Sequence, residues 1–311
     1  MRTHLLYMYQ KLSHVEHILK RPDSYVGSLI PDVQDTWRRT PDGFERAQVT
    51  VAPGLVKIFD EILVNAIDQH TLHPKKVTRI DVSWKSDGTI TVKNNGDGIP
   101  IEKHATENVW LPELIFGHLL TSSNYDDTKE RTTGGRNGYG AKLTNVFSKE
   151  FSVRIISGGK RYIQHWSKNM SVVGPPDIKD VKGAGGVEIT FEPDWARFGG
   201  KHLEALQTIV TRRTWDAAMC CPKAHVYLNG ERLSVDSVES YAKMHTQGPL
   251  VALGKDIVVA HTDTGKFEQV SYVNGIATTQ GGTHVERFVT QLVASLGLKD
   301  IRSYLLMCIQ F

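Results

Sequence analysis

Lys57-Ile58-Phe59-Asp60-Glu61-Ile62-Leu63-Val64-Asn65-Ala66-Ile67-Asp68-Gln69 runs without Gly or Pro and is entered through Pro53-Gly54. Such a run predicts a helix. Ile58, Phe59, Ile62, Leu63, Val64, Ala66 and Ile67 cover most of its circumference, so the helix is expected to be largely buried. Glu61, Asn65 and Asp68 fall at i, i+4 and i+7 and stack on one stripe. Polar groups on a buried stripe are costly without partners. Two readings meet that demand. One is a hydrogen-bonded seam that sets helix register. The other is a base, a metal ligand and a supporting acid that face a site.

Downstream, residues 79–84 (RIDVSW) alternate, Asp87-Gly88 supplies a turn, and residues 89–94 (TITVKN) follow. In the hairpin this predicts, Ile80, Val82 and Trp84 share one face, as do Ile90, Val92 and Asn94. Asn94 thus arrives on the core side, just before Asn95-Gly96-Asp97-Gly98. An inward amide at a strand end needs a partner. A flat heteroaromatic base supplies one, and an Asx-turn closing the loop is the other solution.

Further on, Thr133-Gly134-Gly135-Arg136-Asn137-Gly138-Tyr139-Gly140-Ala141-Lys142 carries four glycines and a lysine. Glycine tolerates positive φ and close backbone approach, so consecutive N–H groups can converge on an anion beside a helix N-terminus. Residues 142–147 read as the start of that helix. No Gly-Lys-Ser/Thr follows the glycines, so this is not the common P-loop. A Gly-rich surface lid has the same composition, and the polar stretch 126–139 reads as a lid.

Three such segments in this order are more specific than any one. They resemble the nucleotide-binding motifs of the GHKL ATPase superfamily, which includes gyrase-type topoisomerases, mismatch-repair MutL proteins, histidine kinases and an ATP-driven heat-shock chaperone. Within it, KIFDEILVNAIDQ (57–69), VKNNGDGIP (92–100), LIFGHLLTSSNYDD (114–127) and TGGRNGYGAKLTNVFS (133–148) resemble the ATPase region of eukaryotic-type DNA topoisomerase II. YQKLSHVEHILKRPDSYVGS (9–28) resembles that family's N-terminal strap and first helix, and FEQVSYVNGIATTQGGTHVERF (267–288) its transducer.

The resemblance implies an α+β fold: the GHKL (Bergerat) ATP-binding sandwich of helices on a mainly antiparallel or mixed sheet, followed by the start of a transducer. It implies a strap and GHKL domain over residues 1–246 and an incomplete transducer over 247–311. It implies ATP and Mg²⁺, with Glu61 as the general base that polarises the attacking water; a carboxylate in a mostly apolar helix suits that role. Asn65 is implied as the magnesium ligand, since Mg²⁺ keeps waters and phosphate oxygens and needs few protein oxygens. By the same resemblance Asn94 is implied to read the adenine edge, and Ser122, Ser123 and Asn124 to meet ribose and phosphates. Gly135, Arg136, Asn137, Gly138, Tyr139, Gly140 and Ala141 are implied to form the phosphate-wrapping lid, and Lys142 to meet the phosphates as a point charge. Tyr9 is implied to reach the nucleotide of a partner subunit. The implied partners are a second copy, paired through the strap when ATP is bound, and double-stranded DNA as substrate of the full-length enzyme. The implied compartment is the nucleus.

Departures from the pattern matter. The family often has Thr where Val187 stands on the strand 187–191; a water then supplies the hydroxyl, or Thr190 marks a shifted register. Gln69 stands where Asn is common. The family's transducer carries a Gln-Thr-Lys loop whose lysine reaches the γ-phosphate, and that triplet is absent here. The chain is therefore expected to be part of a longer protein and, lacking the cleavage module, not to cut DNA alone. A histidine kinase is disfavoured by the segment YVNGIATTQGGTH (272–284), and a gyrase B subunit by RNGYGAK (136–142) and DEILVNA (60–66). An ATP-switched dimerisation module with little turnover stays open.

At 311 residues and 40% hydrophobic, the chain is long enough for two domains. A net charge of +3 is too small to argue nucleic-acid binding, and Lys20-Arg21, Arg38-Arg39 and Arg212-Arg213 read as solvated surface. Three cysteines give no disulfide framework. His14/His17 and His70/His73 have helical spacing but no completing ligands, so they read as surface histidines. No run is long enough to cross a membrane. Up to about residue 46 the chain reads as strap, early helix and loop. Gly248-Pro249 breaks the chain near the expected boundary.

Overall fold

The computed structural model describes residues 11–121, 139–297 and 300–310. Helix α1 (His14–Lys20) starts in a capping box, with the Ser13 hydroxyl accepting from Glu16 N and the Glu16 carboxylate accepting from Ser13 N. Residues expected as a loop instead form a hairpin, β1 (Asp32–Thr40) and β2 (Gly43–Val51), in register from Asp32↔Val51 to Thr40↔Gly43. Its polar alternation hid it, because the only large side chains it buries are those of Trp37, Phe44 and Val51.

Helix α2 (Pro53–Leu72) extends the expected helix by a turn at its start, with Pro53 at a position that has no N–H to lose. Leu55, Ile58, Phe59, Ile62, Leu63 and Ile67 are at most 1% exposed. Burial of each contributes about 1.5–3 kcal/mol. Strands β3 (Arg79–Trp84) and β4 (Ile90–Asn95) form the expected hairpin, in register Ile80↔Asn94, Val82↔Val92 and Trp84↔Ile90. Gly88 closes the turn at φ +88, where its N–H donates to Lys85 O.

Helix α3 (Leu111–Gly117) packs on α4 (Gly140–Val146), which in turn packs on α2, and α4 begins two residues before the expected Lys142. Next come β5 (Ser148–Ser157), β6 (Lys160–Ser167), β7 (Val172–Val173), β8 (Asp177–Asp180) and β9 (Gly186–Pro193). Helix α5 (Leu203–Cys220), β10 (His225–Leu228), β11 (Glu231–Arg232) and α6 (Val238–Ala242) complete this half. The nine-stranded sheet runs β11-β10-β3-β4-β9-β5-β6-β7, with β8 also on β6. Only β10–β3 is parallel. Helices α2 and α5 pack on one another, and α2 packs on β4.

A second sheet, ordered β12-β13-β16-β14-β15, comprises β12 (Leu250–Ala252), β13 (Ile257–His261), β14 (Glu268–Val273), β15 (Ile276–Ala277) and β16 (Leu305–Gln310). Helix α7 (Thr283–Leu296) covers it, with Val285 and Val289 against Met307 and Ile309. The main core is continuous across both sheets: Val258, Val270, Tyr272, Leu306 and Cys308 join the cluster that contains α2. The fold is α+β, as expected.

Two surface expectations fail. Arg212 and Arg213 are buried rather than solvated. Arg212 Nε donates to Asp216 Oδ1 (2.7 Å); Arg213 donates to Asp60 Oδ1 (2.7 Å) and Asp216 Oδ2 (3.0 Å). Burial alone would lower the Arg213 pKa, but Asp60 and Asp216 outweigh it and hold it well above the ordinary value. Burial would raise the Asp216 pKa, but Arg212, Arg213 and the Tyr241 hydroxyl hold it below the usual carboxylate range. Removing one member of such a set costs about 3–5 kcal/mol. His70 is also buried, and its Nδ1 lies 2.7 Å from Val77 O. The helix turns it inward onto the α2–β3 connection, which spacing along one element cannot report.

Candidate functional site

One cleft of about 960 Å³ gathers the sequence-predicted residues that the structure describes. Helix α2 supplies Glu61 and Asn65, β4 supplies Asn94, and α4 supplies Gly140, Ala141 and Lys142, with Tyr139 just before it. Tyr9, Ser122, Ser123, Asn124, Gly135, Arg136, Asn137 and Gly138 lie outside the described residues.

Glu61 sits partly buried on the cleft wall, one turn before Asn65. Lys57 Nζ lies 2.5 Å from its Oε1. A Cβ added to Gly140 would stand 3.1 Å from Glu61 Cδ, with Oε2 closer still, so α4 starts directly against this carboxylate. That approach requires glycine. Two further bonds fix α4: Thr144 Oγ1 donates to Ile58 O of α2 (2.8 Å), and Asn145 Nδ2 donates to Phe116 O of α3 (3.0 Å). Asp68, the third member of the stripe, is buried and also lines the cleft.

Lys142 is 3% exposed, and its Nζ donates to Thr121 O at 2.6 Å. Burial lowers its pKa to about 8. A lysine so placed is poised to gain from a dianionic or trianionic ligand, because the ligand's charge offsets its desolvation.

Asn94 is buried on the sheet face that lines the cleft, and its Nδ2 donates to Asn95 O (2.9 Å). The neighbouring Asn95 does the loop closure: its Oδ1 accepts from Thr78 N and Arg79 N, both at 2.8 Å. Gly96 and Gly98 follow at φ +124 and +74, and a Cβ on Gly96 would press on Val77. Asp97 at this loop pairs with Lys76.

Val187 lies opposite Asn94 in the β4–β9 ladder and lines the cleft with Ile189. Thr190 points to the other face, where its hydroxyl lies 2.9 Å from that of Thr91. The register is therefore not shifted, and the cleft position is Val187.

Several lining residues escaped sequence reasoning, among them Lys57, Tyr25, Lys76 and Ile276. Lys57 had a signal, its i,i+4 spacing to Glu61. Tyr25 had none; its ring meets Tyr139 edge-on at 6.1 Å, and its hydroxyl lies 2.9 Å from His17 Nδ1. Lys76 and Ile276 arrive from distant segments, Ile276 from the second sheet. Among the described residues no group of three or more His, Cys, Asp or Glu could hold a metal ion, and no helix is long and apolar enough to cross a membrane.

Comparison with known proteins gives a consistent set of likenesses. Residues 50–196 match the family described as histidine kinase-, DNA gyrase B-, and HSP90-like ATPase, and residues 224–298 match the family described as DNA gyrase B. DNA topoisomerase 2 of Penicillium chrysogenum is 44% identical over 317 residues, covering 94% of this chain and 20% of that protein. DNA topoisomerase 2 of Arabidopsis thaliana is 43% identical over 303 residues, covering 92% and 21%. The chain thus spans about a fifth of the length of these curated relatives. The crystal structure of the ATPase region of Saccharomyces cerevisiae topoisomerase II matches with a TM-score of 0.91 and 42% identity, over 97% of this chain and 85% of that one.

Proposed function

The chain belongs to the DNA topoisomerase II family, and on that premise we propose that its cleft binds ATP and that Glu61 drives hydrolysis. The observation that carries this reading is the convergence of Glu61, Asn65, Asn94 and Lys142 on one cleft from three elements. Glu61 accepts a proton from the water that attacks the γ-phosphate, and its contact with Gly140 holds it in place. Lys57, paired to the same carboxylate, orients it. Lys142 pairs with phosphate oxygens, and the Asn94 amide exchanges its local bond for the edge of the adenine.

The donor set fits Mg²⁺ and not a softer metal. Asn65 offers one hard oxygen on the cleft wall beside Glu61, and Mg²⁺ takes its other ligands from phosphates and water. When bound, the ion neutralises charge on the phosphates. Ser122, Ser123, Asn124 and residues 135–138 are assigned to ribose and phosphate contacts, and Tyr9 to the nucleotide of a second copy.

In a full-length enzyme of this family, ATP binding closes a homodimer through the N-terminal strap and captures a DNA duplex for strand passage, and hydrolysis reopens that gate. We assign residues 1–246 to the strap and ATPase domain, residues 247–311 to the start of the transducer, and the protein to the nucleus. Calorimetric titration with a non-hydrolysable ATP analogue, with and without Mg²⁺, tests the core of the reading. Magnesium-dependent binding is the expected result, and absence of binding by folded protein overturns it.

A further inference from the structure

The Arg213 guanidinium is held by three acceptors from three parts of the chain. Nε donates to Asp60 Oδ1 of α2 at 2.7 Å, Nη1 to Asp216 Oδ2 of α5 at 3.0 Å, and Nη2 to Gly275 O in the β14–β15 turn at 3.4 Å. Asp60 immediately precedes Glu61, and Gly275 immediately precedes Ile276; Glu61 and Ile276 both line the cleft. The turn is in direct contact with α2, since a Cβ on Gly275 would lie 2.7 Å from Ile67 Cγ2. Arg212 extends the set from α5 to β14 through the Tyr272 hydroxyl (3.3 Å), and the Tyr241 hydroxyl donates to Asp216.

We propose that Arg213 is a positioning residue that couples occupancy of the cleft to the β14–β15 end of the five-stranded sheet. The inference rests on the reading of the cleft as a nucleotide site. Charge on the phosphates acts on α2 through Asn65 and Glu61, so α2 adjusts when ligand enters. Asp60 moves with the same helical turn. A buried guanidinium cannot release one acceptor into apolar surroundings without loss, so a shift of Asp60 is passed to Gly275 rather than absorbed. An apolar contact at this point would slide. A planar donor fork with three fixed acceptors does not. The coupling is reciprocal: the position of the β14–β15 turn sets the azimuth of α2 and hence the aim of Glu61.

The test is amide hydrogen exchange of residues 272–277, with and without a non-hydrolysable ATP analogue and Mg²⁺, in the wild-type chain, Asp60→Asn and Arg213→Lys. Asp60→Asn keeps the shape and leaves Arg213 paired with Asp216. Arg213→Lys keeps the charge but cannot reach all three acceptors. In the wild type, ligand slows exchange in this turn at least about fivefold. In both variants the slowing disappears, while analogue affinity stays within about threefold. A merely structural role would lower thermal stability and leave the ligand-induced slowing intact. Wild-type slowing in either folded variant overturns the inference, as does a wild-type chain that binds the analogue without any change at 272–277. Failure of the wild type to bind the analogue overturns the nucleotide reading itself, and the inference with it.

Discussion

Gly140 and Glu61 are in backbone-to-carboxylate contact: a Cβ at position 140 would stand 3.5 Å from Glu61 Cβ and 3.1 Å from Cδ, and would overlap Oε2. The first residue of α4 thus sets where the carboxylate of α2 can lie. Gly140→Ala is expected to displace Glu61 and to lower ATP turnover roughly 10²-fold, the cost of a misplacement on the order of 1 Å. Steady-state phosphate release measures this, and turnover within twofold of wild type would remove Gly140 as the positioning contact.

Glu61→Gln keeps the size of the side chain and removes the carboxylate proposed as the base. Turnover should fall by about 10²–10⁴-fold with analogue affinity nearly unchanged. The comparison is single-turnover phosphate release against calorimetric binding on the same preparation. A parallel loss of affinity would assign Glu61 to binding instead.

Lys142 gives a proton-linkage prediction. Burial lowers its pKa to about 8, so the free protein loses this charge as pH rises through that value. A bound phosphate favours the charged form, so binding at pH 8.5 takes up a proton and binding at pH 6.5 does not. Titrations in two buffers of different ionisation enthalpy give the proton count. Lys142→Met should abolish the uptake, and uptake of equal size in that variant would place the titrating group elsewhere.

His245 gives a stability prediction. It stacks on Phe44 at 4.7 Å and meets Trp37 edge-on at 4.5 Å, with neither ring nitrogen hydrogen-bonded. Burial, then Arg212, lower its pKa well below the ordinary 6.5, with Asp216 opposing and Arg46 adding to the shift. The unfolded chain therefore binds a proton that the folded chain refuses. Stability is unaffected by this group above pH 6.5 and falls below it, by about 1.4 kcal/mol per pH unit. Urea unfolding between pH 7.5 and 5.5 measures the slope. His245→Phe should flatten it, and an unchanged slope would exclude His245 as its source.

Val187 stands opposite Asn94 on the cleft side of β9, whereas Thr190 bonds Thr91 on the far face. Val187→Thr adds a hydroxyl beside the Asn94 amide and should tighten analogue binding by about 1 kcal/mol. Thr190→Val should leave affinity unchanged. The reverse order of effects, read by calorimetry, would mean that the strand turns its other face to the ligand.

Periodicity and turn chemistry are local properties, and they determined the elements that local physics controls. The alternation of residues 79–94 determined the β3–β4 hairpin and placed Ile90, Val92 and Asn94 on one face of it. The unbroken apolar run of 57–69 determined a buried helix with Glu61 and Asn65 on one stripe. Motif order was enough to identify the family before any geometry. The β1–β2 hairpin was illegible, because most of its side chains are exposed or only half-buried and carry no hydrophobic period. The tertiary structure alone decided the fate of Arg213, whose partner Asp60 lies 153 residues away. It also decided that Val187 and not Thr190 faces the cleft, and that Ile276 reaches it from the second sheet. The reason is common to all three. Whether a charge is buried, or which side of a strand meets a ligand, depends on what packs against it, and those neighbours come from segments that no local period connects.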